Sequence, residues 1–169
     1  GKHFLFDHAV QRGLQMIEEG VDIIDIGGES TRPGAERVSV DDEQARVIPV
    51  IKVLSGKGAD ISVDTMRAST AKLAVEAGAL IVNDVSGGAA DPAMFSTVAA
   101  LGCKYTLMHW RGHSKEMNSL AHYEDVVADV INEVTIQLDK ALEAGIKREN
   151  IILDPGLGFA KDAEHNWEI

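Results

Sequence analysis

Five short apolar runs, each closed by polar residues and each parted from the next by a helix-length amphipathic stretch, constrain this chain most. The runs are Val21–Ile26, Ile61–Thr65, Leu80–Val85, Lys104–His109 and Ile151–Asp154. The first, VDIIDI, is too short for a core helix and rich in β-branched residues, which predicts a strand covered on both faces. Helical periodicity fills the intervals. Asp7–Glu19 has apolar residues at Ala9, Val10, Leu14, Met16 and Ile17. Asp41–Leu54 follows, with Pro49 inside it, so a helix start near Pro49 or a kink there is expected. Ala68–Ala77 is a third helix. Asp91 with Pro92 reads as a cap and first turn opening a fourth, to Leu101. The longest is expected from about Tyr123 to Ala144, with Val127, Val130, Ile131, Val134, Leu138 and Leu142 as its apolar face.

Strands alternating with helices through short turns imply right-handed crossovers and a parallel sheet. A doubly wound sheet and a (β/α)8 barrel both fit. The polar residues favour the barrel: Asp25, Asp64, Asn83 with Asp84, His109 and Asp154 all stand at the C-terminal ends of successive strands. In a barrel those ends form one ring around one mouth. A complete barrel takes roughly 250 residues, and this chain has 169. The expectation is one domain over residues 1–169, an incomplete TIM (β/α)8 barrel carrying about strands 2 to 6.

The formal net charge of −11 argues against nucleic acid and anionic membranes as partners. An anionic ligand would meet an unfavourable field, so a phosphate site must come from local cations and backbone N–H groups. Arg32, Arg67 and Arg111 are the candidates, each close behind a strand. There is no apolar run near the roughly 18 residues of a membrane span, nor a signal-peptide pattern, and Cys103 is the only cysteine. A cytoplasmic setting is expected, with Cys103 a buried, inert thiol.

Carboxylates at the ends of buried strands carry a desolvation cost unless something donates to them. A ligand with several N–H donors, such as an aminopyrimidinone, would offset it, and Asn83 adds a donor and an acceptor for the same edge. Each acid also has a structural alternative. Asp64-Thr65 can cap the helix near Ala68, Asp84 can cap its own loop, and Asp25 can pair with a neighbouring strand. His109 and His113 have the spacing of a zinc pair, but Trp110-Arg111-Gly112 lacks the glutamate of HExxH, which argues against zinc. Gly156–Ala160, GLGFA, is not a dinucleotide fingerprint.

Taken in order, VDIIDIGGESTRPGA, ISVDT, IVNDVSGG, LMHWRG and ILDPGLGFAK-x-x-x-HN resemble the strand-end motifs of the dihydropteroate synthase family over nearly the whole chain. The resemblance implies a TIM barrel of folate biosynthesis, condensing 6-hydroxymethyl-7,8-dihydropterin pyrophosphate with p-aminobenzoate and releasing pyrophosphate. It implies that Asp64, Asn83 and Asp154 hold the pterin, with Met108 and Val85 lining that pocket. Thr31 and Arg32 would approach the pyrophosphate, and Thr31, Pro33 and Phe159 would surround the p-aminobenzoate. Asp64 and Arg32 are the implied catalytic pair, Asp64 stabilising positive charge that develops once pyrophosphate departs. The family's magnesium ligand, an asparagine, is expected before Gly1. Its seventh-strand lysine and its eighth-strand arginine and histidine are expected beyond Ile169. The complete protein is expected to be a homodimer and a sulfonamide target. Alternatives are a non-catalytic homologue that keeps the pterin pocket, or a pterin-binding methyltransferase domain, against which the ESTRPG loop speaks.

Overall fold

The computed structural model describes residues 5–169 apart from Pro33 and Ser114. The elements alternate as α1 (Phe6–Glu18), β1 (Ile23–Gly27), α2 (Val40–Ser55), β2 (Asp60–Asp64), α3 (Ala68–Glu76), β3 (Ile81–Asp84), α4 (Met94–Leu101), β4 (Lys104–Met108), α5 (Val126–Glu143), β5 (Ile151–Asp154) and α6 (Ala163–Glu168). The five strands are all parallel and lie in chain order, β1 to β5. This is the expected parallel α/β alternation.

Side-chain alternation splits the sheet into two unlike faces. Ile24, Ile61, Val63, Val82, Tyr105 and Leu107 point to the helices, where they pack with Val47, Ile51 and Leu54 of α2, Met94 and Val98 of α4, and Val126 and Val130 of α5. The other face carries Ile23, Asp25, Ser62, Asp64, Ile81, Asn83, Thr106, Met108, Ile152 and Asp154, by register. Among the described residues no helix lies over it, so β1 is not covered on both faces here. Ile23 is 50% exposed and Ile152 43%, because a five-stranded arc leaves its concave side open.

The helix boundaries differ from expectation where side chains take unforeseen partners. α2 begins at Val40, capped by Ser39, whose hydroxyl accepts from Asp42 N at 3.1 Å. It runs on through Pro49, which lies on its exposed side. Asp91 does not open α4, which starts at Met94 behind Ala93. Its carboxylate accepts from Ala93 N at 2.9 Å and also from Ala68 N at 2.8 Å, so it caps α3 across the fold. α5 is capped by Asp125, which accepts from Ala128 N at 3.0 Å. Its buried stripe is Val126, Val130, Val134 and Ala141, while Val127 and Ile131 face outward.

Candidate active site at the strand ends

Register brings part of the expected ring together. Asp64 pairs with Asn83 across β2 and β3, and Met108 with Asp154 across β4 and β5. Asn83 Nδ2 reaches back over β2 to Asp25 Oδ2 at 3.5 Å. Met108, Val85 and Met66 form a small apolar cluster of their own, with Phe159 and Ala90 packed against it. The concave face therefore offers carboxylates and an amide around an apolar floor, which suits a flat heterocycle with N–H groups along its edge.

Asp64 stands apart. Among the described residues no donor reaches its carboxylate. Burial, then the negative charges of Asp25, Asp84, Glu43 and Glu29, push its pKa from 3.8 up to about 7. Asp154 is partly tied, accepting from Gly156 N at 2.7 Å.

Two other members of the ring point away. Asp84 is fully buried on the helix side and accepts from Ser86 N (2.8 Å), Ser86 Oγ (2.6 Å), Gly88 N (2.9 Å) and the Tyr105 hydroxyl (2.8 Å). Four donors satisfy it as the cap of its own loop, although burial still drives its pKa upward. His109 also turns toward the helices, where Nε2 lies 2.9 Å from Glu133 of α5 and Nδ1 lies 2.8 Å from Lys161. His113 instead meets the Trp110 ring edge-on at 5.0 Å. The reason is parity: successive side chains on a strand leave opposite faces, so Asn83 and Asp84, or Met108 and His109, cannot share a mouth.

Two of the three candidate cations are committed elsewhere. The Arg67 guanidinium joins Glu29 (2.9 Å), Glu43 (2.7 Å) and Val38 O (2.7 Å), and Glu43, 1% exposed, also accepts from Thr65 and Thr70. This clasp ties both ends of the loop after β1, since Glu29 also accepts from Val38 N. Arg111 grips Glu133 with two nitrogens, donates to His122 O at 2.6 Å and covers the Tyr123 ring. Arg32 alone of the three is exposed, on the same loop as the half-buried Thr31; Pro33 lies outside the described residues. A cleft of about 490 Å³ separates this loop from the one after β4, lined by Glu29, Ser30, Arg37, Met66, His113 and Lys115. Met66 joins that cleft to the apolar floor.

Glycines at φ 55° and 67° let neighbouring loops close on the end of β4. A Cβ on Gly87 would overlap Met108 O, and one on Gly156 would stand 2.5 Å from His109 O. Sequence reasoning gave no role to Glu43, Glu133 or Lys161. Glu43 looks like an ordinary first-turn acid, and Glu133 like a solvated helix position. Lys161 follows the GLGFA loop and had one usable signal, a lone cation behind a glycine-rich strand end.

These features define a parallel α/β protein with carboxylates and an amide gathered at the ends of its strands. The chain matches the pterin binding enzyme family over residues 1–169 and belongs to it. It is 49% identical to a dihydropteroate synthase of Mycobacterium leprae, covering all of this chain and 60% of that protein. It superposes on the Yersinia pestis dihydropteroate synthase solved with a sulfonamide drug at a TM-score of 0.95, with 36% identity, over 99% of this chain and 61% of the other. The Xanthomonas albilineans enzyme in complex with 7,8-dihydropteroate gives 0.85 and 36%, over 99% and 58%. The chain thus spans about three-fifths of each of these three relatives, and its sheet is part of their TIM barrel.

Proposed function

We propose that these residues carry the pterin side, and much of the p-aminobenzoate side, of a dihydropteroate synthase site. The observation that carries this reading is Asp64: a carboxylate that no donor reaches among the described residues, held near neutral pKa beside Asn83 on the face that also carries Met108. Such a group favours a ligand that brings N–H donors and then positive charge. A relative solved with 7,8-dihydropteroate supports the same ligand class.

In this reading Asp154, Asn83 and Asp64 take the donors of the dihydropterin ring, with Met108 and Val85 against its face. Arg32 meets the pyrophosphate and supplies the local cation demanded by a chain of net charge −11. The bond between the pterin methylene and oxygen breaks, its electron pair leaving with pyrophosphate. Asp64 stabilises the cation left on the pterin. The p-aminobenzoate nitrogen, held near Thr31, Pro33 and Phe159, then forms the carbon–nitrogen bond and loses a proton. Sulfonamides compete for this arylamine position.

Magnesium belongs to the same reading, as do a dimeric complete protein and a cytoplasmic setting. Among the described residues no group of three or more His, Cys, Asp or Glu is placed to hold a metal ion. The steps above therefore rest on this chain's own residues. The test is turnover by the complete protein with dihydropterin pyrophosphate, magnesium and p-aminobenzoate. Dihydropteroate and pyrophosphate formed in equal amounts support the proposal. Pterin binding without product refutes it in favour of a non-catalytic pterin protein.

A further inference from the structure

Lys161 is only 8% exposed and has no part in the steps above. The chain turns back just before it: Ala160, at φ 50°, is the only described non-glycine residue with positive φ, and the Tyr123 hydroxyl holds its carbonyl at 2.9 Å. That left-handed conformation is unfavourable for an L-residue, and its effect is to send Lys161 beneath its own loop. There Nζ donates to Gly156 O (3.1 Å), Phe159 O (3.1 Å) and His109 Nδ1 (2.8 Å). An ammonium has three protons, and each finds one acceptor.

This count fixes the histidine. Nδ1 accepts from Lys161, so the ring proton sits on Nε2 and is donated to Glu133 at 2.9 Å. Glu133 is anchored in turn by Arg111. Burying an ammonium is a poor way to gain stability, since an apolar side chain of similar volume fills such a space at less desolvation cost. An apolar side chain cannot hold two loop carbonyls in place. One of those carbonyls belongs to Phe159, whose ring packs on the Met66–Val85–Met108 floor.

Resting on the synthase reading, we infer that Lys161 is a positioning residue for the arylamine side of the site: its ammonium locks the 155–160 loop to His109 and so fixes Phe159. It touches no substrate. The pterin side is held by other means, since Asp64 and Asn83 lie on β2 and β3, and Asp154 keeps its own strand and the Gly156 N–H. Lys161 faces His109 and Arg111 from the end of β4, Glu133 from α5 and Asp154 from β5. Burial, with Arg111 adding to it, lowers its pKa to about 8. Above that pH a neutral amine has two protons for three acceptors, and the lock loosens.

Steady-state kinetics on the complete protein test this. Lys161→Met is expected to raise the p-aminobenzoate KM by about 10-fold, leaving kcat and the pterin KM within about 2-fold. In the unsubstituted protein the p-aminobenzoate KM should rise above about pH 8 while in Lys161→Met it stays high and flat. His109→Asn keeps an acceptor near the place of Nδ1 and should stay close to the unsubstituted KM, whereas His109→Leu should match Lys161→Met. Equal losses for both substrates, a fall in kcat alone, or an Asn variant no better than Leu would overturn the inference. Should Lys161→Met not fold, nitrogen NMR of the unsubstituted protein decides: an unprotonated, hydrogen-bonded Nδ1 on His109 supports the lock, and a protonated Nδ1 refutes it. No turnover by the unsubstituted protein refutes the synthase reading and the arylamine role with it. Normal turnover with an unsplit Lys161→Met refutes the lock alone.

Discussion

Asp64→Asn should make the ligand-free protein more stable while destroying its pterin site. The pKa of Asp64 stands at about 7 against an ordinary 3.8. At about 1.4 kcal/mol per pH unit, ionising it costs about 4 kcal/mol more in the folded chain than in the unfolded one. The sign follows from proton linkage: the folded state holds this proton more tightly, so stability falls as pH rises from about 4 to about 7 and stays lowered above that. Asparagine keeps the shape and removes the charge, but leaves a half-buried amide to satisfy. The expected gain is therefore about 2–4 kcal/mol above pH 7 and shrinks toward zero near pH 4. Urea melts of both proteins across this range, without ligand, measure the difference directly, and the subtraction removes other titrating groups such as Asp84. A variant less stable than its parent above pH 7, or a difference independent of pH, would refute the argument. Calorimetry with a pterin analogue should show binding lost in the same variant.

Asp154→Ala should weaken that analogue by about 2–4 kcal/mol, the loss expected when a charge-assisted pair loses its acceptor; unchanged affinity in calorimetry would remove Asp154 from the site. Arg32→Lys should lose most of the benefit of arginine despite keeping its charge, because bidentate geometry goes, and binding assays should show this for the pyrophosphate ester but not for the bare pterin. Arg67→Met strips the pairing from Glu43, 1% exposed, and should cost about 3–5 kcal/mol in denaturant melts. Expressed alone, Gly1–Ile169 should associate or stay loosely packed and make no dihydropteroate, since β1 and β5 are open edges; sedimentation of a compact, active monomer would contradict this.

The alternation of elements was legible because burial repeats with period two in the strands and about 3.6 in the helices, and both marks survive in one sequence. The ends of helices were less so. Asp91 has the composition of a local cap, yet one of its oxygens serves Ala68, 23 residues away. The coverage of β1 was misread for a related reason. Its apolar run records what a closed barrel would bury, whereas Ile23 here faces open space. For the site, Asp64, Asn83 and Asp154 were visible as strand-end polar residues, Met108 only through the family resemblance, and the turning away of Asp84 and His109 was not visible. Arg67 and Arg111 were visible only as cations, because Glu43 and Glu133, which neutralise them, sit on helices whose sequence marks them as solvated.

Parity at the strand ends separates chemistry from support. Asn83 and Met108 face the concave side, where a ligand can lie; Asp84 and His109, next to them in sequence, face the helices and hold the loops. A substrate contact and its structural brace are thus one peptide bond apart. The consequence is that a loop cannot shift without disturbing a buried, hydrogen-bonded group. Asp84 fastens the loop carrying Val85, and His109 with Lys161 fastens the loop carrying Phe159. The Arg67–Glu43 clasp does the same for the loop of Thr31 and Arg32, through Glu29 and Val38. Three loops are therefore braced from the helix side, each by a buried charge fully supplied with partners. On the open side, by contrast, no donor among the described residues reaches the carboxylate of Asp64, and a ligand can supply one.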